Sequence, residues 1–493
     1  MDGSPRPPRT GGRVTALPRR SVLLGTLGAA VAGLVPATPG GEPAAVPRWF
    51  AGALRQATTP DPFTLGVASG DPSPDGMVLW TRLAPEPDAE DGRGGMPDRA
   101  VEVEWEVAED ERFARVVSRG TETATRELAH SVHAEPAGLA PGREYFYRFR
   151  TGGHLSPVAR TRTAPAAGAA AASLTIATAS CAKFGAGHFT AYRGLAADAP
   201  DLVLHLGDYF YETDRGEVRD PGPPEPKTLA GYRRTHAHQR SDEDLRAAHA
   251  VAPWVVVWDD HEVVNDWDGA TPDRRRAAAQ AYYEHMPLRR ASVPDGPDIQ
   301  LYRRLAWGSL ATFHVLDTRQ YRMRGSMLGA DQERWLLRGL ADSAAGWDVL
   351  AQQVFFAPRR GGKSGTWGEF TGSRERVVRG WTEAGVRNAV VLTGDEHVHH
   401  ANEIPGADER IAGTELVTTS VTSGGDGDGD AKSGRSGSSV WSLDRRGYVL
   451  ATFTPAQMRA DFRTVSRVSE PGATVRTAAS FVVPDREPGL NKV

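Results

Sequence analysis

The chain has 493 residues, of which 40% are hydrophobic and 24% are charged, which is typical of a globular protein with two or three domains and a large core. Its formal net charge is −4, and the arginines are spread along the chain with acids between them. This balance provides no basic surface for nucleic acid, so nucleic-acid binding is not expected.

The first part of the chain has the organisation of an export signal. The pair Arg19-Arg20 precedes an apolar run of small residues, Val22 to Val35, and Pro- and Ala-rich sequence follows. The run is shorter than the roughly 20 apolar residues of a membrane span, and paired arginines are typical of the twin-arginine route. We therefore expect residues 1–45 to be a twin-arginine signal peptide and disordered leader, recognised by the twin-arginine export machinery. The mature protein is then secreted or held in the cell envelope without a stable membrane span; an uncleaved anchor or a disordered tail is the alternative.

Residues 62–165 have the pattern of an all-β domain. Short runs such as Val101–Trp105 and Tyr145–Phe149 alternate apolar with polar residues, and Asp-Gly, Pro-Gly and Gly-Gly turns separate such runs. The segment Leu139-Ala-Pro-Gly142 resembles the turn before a late strand of fibronectin type III-like sandwiches. The sequence therefore predicts a small fibronectin III-like all-β domain, followed by an alanine-rich linker at 163–172.

From residue 173 to residue 493 the pattern changes to buried strands that alternate with helices, which indicates a layered α/β domain. Strands are predicted at 174–180, 201–206, 253–258, 311–316, 348–355, 388–393, 414–420 and 447–453. Helices are predicted at Thr190–Asp198, Asp273–His285, Ala330–Asp342 and Ser373–Glu383.

Several of these predicted strands end in residues that can bind metal ions. The first strand ends at Cys181, the only cysteine of the chain, which is either a small buried hydrophobe or a ligand. The other polar strand ends are Asp208 to Glu212, Asp259 to His261, Asp317 to Arg319 and Asp395 to His400. Because loops at the carboxyl ends of strands meet on one face of such a fold, we expect these side chains to lie together.

The kinds of side chain constrain the metal. Carboxylates and carboxamides suit hard ions such as calcium, whereas thiolate, phenolate and imidazole groups suit iron or zinc. A site that offers both kinds indicates a mixed cluster, in which cations neutralise acids that could not otherwise be crowded at buried strand ends. Two cations bridged by a carboxylate clamp the attacking and leaving oxygens of a phosphoryl displacement and lower the pKa of a bound water.

A set of sequence motifs carries a family resemblance. The motifs are FTLGVASGDPSPDGMVLWTRL in the β domain, then a strand ending in ASC, then GDYFYE, WDDHEVVNDW, LDTRQYR and TGDEHVHH. In this order and over nearly the whole mature chain, the set is similar to the PhoD-like alkaline phosphatase family of calcineurin-type metallophosphoesterases. The resemblance implies a metallophosphatase-type layered β-sandwich flanked by helices at 173–493. It also implies a secreted metal-dependent phosphatase that hydrolyses phosphate monoesters and diesters by attack of a metal-activated hydroxide, with one ferric ion and one or two calcium ions.

The resemblance also implies roles for single residues. Cys181, Asp208 and Tyr211 would bind the iron, with Asp208 bridging to a second metal ion that Asp260 also binds. His261 would touch the substrate phosphate or protonate the leaving oxygen. Asp259, beside these residues, either binds a metal or orients a ligand.

Later motifs supply further candidates. Asn265 is a candidate calcium ligand, although it could merely cap the helix that follows. The late Gly-His-x-His of the wider metallophosphoesterase superfamily appears here as Gly394-Asp395-Glu396-His397, so Asp395 replaces an imidazole and shifts the preference toward calcium. His397 would bind iron or support a ligand. His399 and His400 are expected to face solvent or to support the ligands.

Arg319 is the candidate for holding the phosphate. A planar guanidinium matches two phosphate oxygens, and the alternative for Arg319 is a structural ion pair with Asp317.

Two other motif matches are rejected. APRRGGKS at 357–364 lacks the first glycine of a P-loop and is expected to be a loop near the site. The run from Asp426 to Asp430 lacks the glutamate of an EF-hand and is expected to be a mobile acidic loop at the rim.

Three functions remain open from the sequence. The first is the secreted phosphatase, and the second is a phospholipase D-like phosphodiesterase with the same site. The third is a non-catalytic secreted binding protein with structural metals, which would have closed coordination, whereas an enzyme needs open metal positions.

Overall fold

The computed structural model describes residues 60–267, 269–359, 364–429 and 431–493, with the backbone alone at 431–436. These residues belong to one compact unit, Arg55–Val493. The predicted export signal at 1–45 lies outside the described residues. In the ranges that are described, no helix is both long enough and apolar enough to cross a membrane.

The segment before residue 165 consists mainly of β-strands, as predicted. Its strands are β1 (Val67–Ser73), β2 (Gly76–Arg82), β3 (Val101–Ala108), β4 (Val116–Ala124), β5 (Ser131–Ala134), β6 (Glu144–Thr151), β7 (His154–Leu155) and β8 (Ala159–Arg162). β3, β4, β6, β7 and β8 form a five-stranded sheet. Every second residue of β3 and β6 is buried over much of each strand, and Trp105, Tyr147 and Phe149 fill the core on that face.

The remaining strands and the helices alternate as an α/β chain before ending in strands. The strands are β9 (Leu174–Ala179), β10 (Leu202–Leu206), β11 (Trp254–Val257), β12 (Arg303–Trp307), β13 (Ala311–Val315), β14 (Trp347–Gln352), β15 (Ala389–Thr393), β16 (His399–Pro405), β17 (Ile411–Val417), β18 (Ala431–Ser436), β19 (Ser439–Leu443), β20 (Gly447–Phe453), β21 (Gln457–Val465), β22 (Val475–Pro484) and β23 (Asn491–Lys492). The α-helices are α1 (Thr190–Asp198), α2 (Leu229–Gln239), α3 (Glu243–Ala250), α4 (Pro272–His285), α5 (Gly329–Ala341) and α6 (Thr371–Ala384). Single 3-10 turns lie at Arg126–Leu128, Phe184–Ala186, Asn265–Trp267 and Arg290–Ser292.

Two large sheets form the centre of the molecule. The strand order of the ten-stranded sheet is β23-β22-β21-β20-β9-β10-β11-β1-β2-β5, with β9, β10 and β11 parallel. The order of the eight-stranded sheet is β12-β13-β14-β15-β17-β16-β19-β18, with β13, β14, β15 and β17 parallel. Leu204 and Val256 of the first sheet share one buried cluster with Val349 and Leu392 of the second, so the sheets pack face to face.

Helices cover the outside of this sandwich. Val349 of β14 faces the other sheet, so the next residue, Leu350, points away from it. On this outer side, Leu350 packs with Leu336 of α5 and Val377 of α6. Leu195 of α1 belongs to the cluster that contains β10. The predicted layered β-sandwich flanked by helices is confirmed.

The segment before residue 165 also extends the larger sheet. β1 pairs in parallel with β11, with Gly70 opposite Trp254, and β2 and β5 continue from β1. Arg303 of β12 donates to Oδ1 of the buried Asp71 from Nε at 2.9 Å and from Nη2 at 2.7 Å. The N-terminal strands therefore support β11 directly. The predicted boundaries of the two domains, 62–165 and 173–493, stay a prediction.

Candidate metal centre

The carboxyl ends of β9, β10, β11 and β15 bring the predicted ligands to one place. The residues that follow these strands are Cys181, Asp208, Asp259, Asp260 and Asp395. The N–H of Cys181 donates to the carbonyl oxygen of Gly207 at 3.1 Å, and the N–H of Ala182 donates to that of Asp208 at 2.9 Å. These bonds fix the end of β9 against the end of β10.

The backbone is left-handed at several of these positions. The φ angle is 59° at Cys181, 52° at Asp208, 59° at Asp395 and 52° at His397. This conformation costs a residue with a side chain on the order of 1 kcal/mol, and such strain concentrates at functional sites. All four residues belong to groups of candidate metal ligands at the common edge of the strands.

Glycine is required at the end of β10. Gly207 has a φ of +96°, and a Cβ atom at this position would lie 2.4 Å from Cβ of Asp259. The backbone of β10 can therefore approach the acidic end of β11 only because residue 207 has no side chain.

A first group of candidate ligands combines sulfur, oxygen and nitrogen. Cys181, Asp208 and His397 each offer a ligand atom within 4.8 Å of the others. The hydroxyl of Tyr211 donates to Oδ2 of Asp208 at 3.0 Å and lies 2.8 Å from Nε2 of His397. Burial, followed by the charge of Asp208, raises the pKa of both Cys181 and Tyr211 well above the ordinary values. A cation is the partner that would hold these groups as thiolate and phenolate.

Two further groups share members with the first. Asp208, Asp260 and His261 offer ligand atoms within 4.8 Å of one another, and so do Asp259, Asp260 and Asp395. Asp208 therefore belongs to the first and second groups, and Asp260 belongs to the second and third. Carboxylates shared between adjacent groups are what a bridged set of cations requires.

The donor set fits metal ions on electrostatic grounds. Burial and the neighbouring carboxylates raise the pKa of Asp208, and burial raises that of Asp259, because several negative charges share a dry space. Oδ2 of Asp259 and Oδ1 of Asp260 are buried and accept no hydrogen bond from the described residues. Crowded acids with free oxygens are stabilised by cations bound between them.

Arg319 is the buried cation that lies among these acids. Its side chain is 4% exposed, its guanidinium pairs with Asp259, and Nη2 lies 3.5 Å from Oδ1 of both Asp260 and Asp395. Asp317 instead accepts the backbone N–H of Arg319 at 3.0 Å. The guanidinium therefore faces the candidate metal groups, and the alternative ion pair with Asp317 is not among those of the described residues.

Glu212 orients His261. Its Oε2 lies 2.6 Å from Nδ1 of His261, and its Oε1 accepts the N–H of Asn265 at 2.9 Å. The ring of Tyr211 lies against that of His261, with centroids 3.9 Å apart. Burial lowers the pKa of His261, but the bond to Glu212 and the charge of Asp260 outweigh it and raise the pKa above the ordinary value. Glu212 lies within the motif GDYFYE, which by itself does not reveal this role.

Glu262 holds the loops after β10 and β11 together. Its Oε1 accepts the N–H of Tyr209 at 2.7 Å, and its Oε2 accepts the N–H groups of Asp208 and Asp259, each at 3.0 Å. The side chain is 1% exposed. Glu262 lies within the motif WDDHEVVNDW, which by itself does not reveal this role.

Asn265 lies at the edge of the site. Its side chain is exposed, its Nδ2 donates to Oδ2 of Asp266 at 3.0 Å, and it opens the turn Asn265–Trp267. Its role as a calcium ligand stays a prediction.

His399 does not face solvent. Its ring is buried, and its Nδ1 accepts the N–H of Thr419 at 3.2 Å. The hydroxyl of Thr419 donates in turn to the carbonyl oxygen of His397 at 2.8 Å. His399 was expected either to face solvent or to support the ligands. Its burial excludes the first, and its contact with Thr419 agrees with the second.

The described parts of the two rejected motifs make contacts of their own. Residues 360–363 are outside the described residues, but Nη1 of Arg359 lies 2.8 Å from Oε2 of Glu396, which places this loop beside Asp395. Asp426 accepts the N–H groups of Val468 at 2.7 Å and Ser469 at 3.0 Å. Asp426 is therefore hydrogen-bonded within the fold, and the mobility of the acidic loop stays a prediction.

The layered sandwich and its three overlapping groups of carboxylate, thiol and imidazole side chains are the arrangement expected of a metal-dependent hydrolase. A family model described as PhoD-like phosphatase matches residues 176–462, and one described as PhoD-like phosphatase, N-terminal domain, matches residues 49–165. The chain belongs to the PhoD-like phosphatase family, as the sequence motifs predicted.

Two known proteins are similar over most of the chain. Alkaline phosphatase D of Bacillus subtilis (strain 168) is 46% identical over 483 residues, which cover 88% of this chain and 82% of the relative. A solved structure of PhoD matches with a TM-score of 0.84 and 46% identity, and the match covers 89% of this chain and 93% of that one.

Proposed function

We propose that this phosphoric ester hydrolase is an exported metal-dependent enzyme that cleaves phosphate monoesters and diesters. The observation that carries the proposal is the sharing of Asp208 and Asp260 between adjacent groups of ligands at one edge of the sandwich. Similarity to an alkaline phosphatase of Bacillus subtilis supports the same reaction.

The residues present fit one ferric ion and calcium. Cys181, Asp208, Tyr211 and His397 would hold the iron, because thiolate, phenolate and imidazole suit a softer or strongly Lewis-acidic metal. Asp208, Asp260, Asn265 and Asp395 would hold one or two calcium ions, because oxygen donors suit them. When bound, the ions would neutralise the acids and make a water molecule nucleophilic at neutral pH.

Two side chains of the chain itself would act on the substrate. Arg319 would hold the non-bridging oxygens of the phosphate, since its guanidinium is fixed by Asp259 and lies 3.5 Å from Asp260 and Asp395. His261 would give a proton to the leaving oxygen, and Glu212 would keep the ring in position through Nδ1. Burial of these groups strengthens each interaction with developing charge.

The test combines metal analysis with an activity panel. We expect about one iron and one or two calcium ions per chain, a visible absorption band, and hydrolysis of p-nitrophenyl phosphate and bis-p-nitrophenyl phosphate. Asp208→Asn should abolish both activities and reduce bound metal. Asp331→Asn, at a position whose side chain is 85% exposed, is the matched control and should change neither.

The panel also separates the other functions. A phospholipase D-like phosphodiesterase would hydrolyse the diester far faster than the monoester. A non-catalytic binding protein would retain its metals and hydrolyse neither ester, which would contradict the proposal.

Export is a separate part of the proposal and is supported by the pair Arg19-Arg20 and the apolar run after it. We expect the full chain to reach the cell envelope or the medium of a host with the twin-arginine machinery. Replacement of both arginines by lysine should retain it in the cytoplasm. Export of that variant at the normal rate would contradict the assignment of the route.

A further inference from the structure

A cluster of arginine and histidine side chains lies far inside the fold, apart from the candidate metal ligands. Arg82 ends β2 of the N-terminal segment, His236 lies on α2, Arg240 follows α2, and His285 ends α4; all four side chains are 0% exposed. The rings of His236 and His285 stack, with centroids 4.7 Å apart and planes at 8°. The cluster therefore joins the N-terminal strands to the helices beside the larger sheet.

The cluster has more positive than negative charge. Glu284, which is also 0% exposed, is paired with Arg233 through two bonds of 2.7 and 2.6 Å. Arg82 donates to the carbonyl oxygens of Ala129 at 3.0 Å and Gly92 at 2.6 Å, which carry no formal charge. Among the ion pairs of the described residues, none involves Arg82 or Arg240. Nη1 of Arg82 lies 2.8 Å from Nε2 of His285, and the nearby charge of Glu284 is already paired with Arg233, so no described carboxylate pairs directly with Arg82 or Arg240.

Arg240 is also short of hydrogen-bond acceptors. Its Nη2 donates to the carbonyl oxygen of His285 at 3.2 Å, and its guanidinium lies 4.1 Å from the centre of the Trp80 ring. Nε and Nη1 are buried and have no hydrogen-bond partner in the described part of the chain. Both ring nitrogens of His236 are also buried and have no hydrogen-bond partner among the described residues. Polar atoms of this kind are rare in folded proteins because burial without a hydrogen-bond partner is costly.

The neighbouring titratable groups do not supply the missing negative charge. Burial, and then the charges of Arg240 and Arg82, lower the pKa of His236 well below its ordinary value, so that ring is neutral. Burial and the charge of Arg82 also lower the pKa of His285 well below its ordinary value. Tyr209 also faces Arg240, and its hydroxyl lies 2.9 Å from Nε2 of His249, so it offers the cluster a phenol oxygen rather than a carboxylate.

We propose that a small monovalent anion of the size of chloride binds between Arg240 and His236 and completes this cluster. Nε–H and Nη1–H of Arg240 would donate to it, and the neutral ring of His236 would donate one N–H. Water would satisfy these donors but leave both guanidinium charges uncompensated in a dry interior. The full burial of these side chains favours a small ion over a phosphate group. The anion would stabilise the contact between the N-terminal strands and α2 and α4, and it has no part in the proposed hydrolysis.

Crystals grown in sodium bromide in place of sodium chloride test the site directly. Bromide scatters anomalously, and we expect a peak within hydrogen-bonding distance of Nε or Nη1 of Arg240 in the unmodified protein. Density at this position that is equal in chloride and bromide and has no anomalous signal would be water, and that result would overturn the proposal.

Thermal unfolding supplies a measurement in solution. At constant ionic strength, we expect chloride or bromide at about 100 times the Kd to raise the Tm by roughly 3 °C relative to gluconate. Arg240→Met should remove the difference between chloride and gluconate. Arg379→Met, at a position whose side chain is 60% exposed, is the matched control and should keep it. An equal Tm in chloride and gluconate for the unmodified protein would count against the site even if Arg240→Met fails to fold.

Discussion

Replacement of Glu262 by glutamine is the sharpest perturbation of the candidate site. The substitution keeps the shape of the side chain but replaces one carboxylate oxygen with an NH₂ group. The two oxygens of Glu262 accept three backbone N–H groups, one from Tyr209 and one each from Asp208 and Asp259. An NH₂ group cannot accept a hydrogen bond, so at least one of these donors would lose its partner.

The expected cost follows from that geometry. In the better orientation the amide oxygen of glutamine accepts from Asp208 and Asp259, and the NH₂ group meets the N–H of Tyr209. One buried donor without an acceptor costs about 1–3 kcal/mol, and the other two bonds lose the charge that strengthens them. We therefore expect the free energy of unfolding to fall by about 2–4 kcal/mol. Because the loops that carry Asp208 and Asp259 are no longer tied, metal affinity should fall about 10- to 100-fold.

Chemical denaturation and metal titration measure the two effects separately. Glu383→Gln, at a position whose side chain is 70% exposed, is the matched control and should change stability by less than about 0.5 kcal/mol. If Glu262→Gln unfolds at the same denaturant concentration as the unmodified protein and binds metal with the same affinity, Glu262 does not hold the two loops together.

Three other substitutions test separate parts of the site. Glu212→Gln should lower kcat about 10- to 100-fold with a smaller change in KM, because His261 loses the carboxylate that positions Nδ1; steady-state kinetics showing only a KM effect would refute this. Cys181→Ser should shift or remove the visible absorption band and reduce bound iron, and an unchanged spectrum would exclude sulfur from the iron site. Gly207→Ala should cost roughly 3 kcal/mol or more in denaturant unfolding, because it adds a Cβ atom 2.4 Å from Asp259 at a positive φ; a cost below about 1 kcal/mol would mean that the two backbones separate easily.

The sequence predicted the strands of the catalytic segment well, because they are short apolar runs. The helix predicted at Thr190–Asp198 has the bounds of α1, and each predicted strand after residue 173 overlaps an observed one. The missed helix α2 shows why the rest was harder. Its buried side chains include Arg233 and His236, which enter a polar cluster and give no apolar stripe.

The candidate ligands could be predicted because metal chemistry demands particular side chains at strand ends. The residues that position them could not, because their roles depend on contacts between distant segments. Glu262 binds backbone groups from two loops, and its sequence neighbours do not reveal which groups these are. His399 supports His397 through Thr419, which comes from the loop after β17. Each role is a property of the folded chain rather than of a local pattern.

The pairing of β1 with β11 is the other relation that no local pattern contained, and it changes how the N-terminal segment is understood. A self-contained sandwich would leave β11 as an edge strand, although Trp254 to Val257 are buried. In the structure β1 covers that edge, and Asp71 fixes Arg303, whose Nη1 also donates to the carbonyl oxygen of Val256 at 3.0 Å. Since β11 leads directly into Asp259 and Asp260, the N-terminal strands help to hold the acidic end of the site in place.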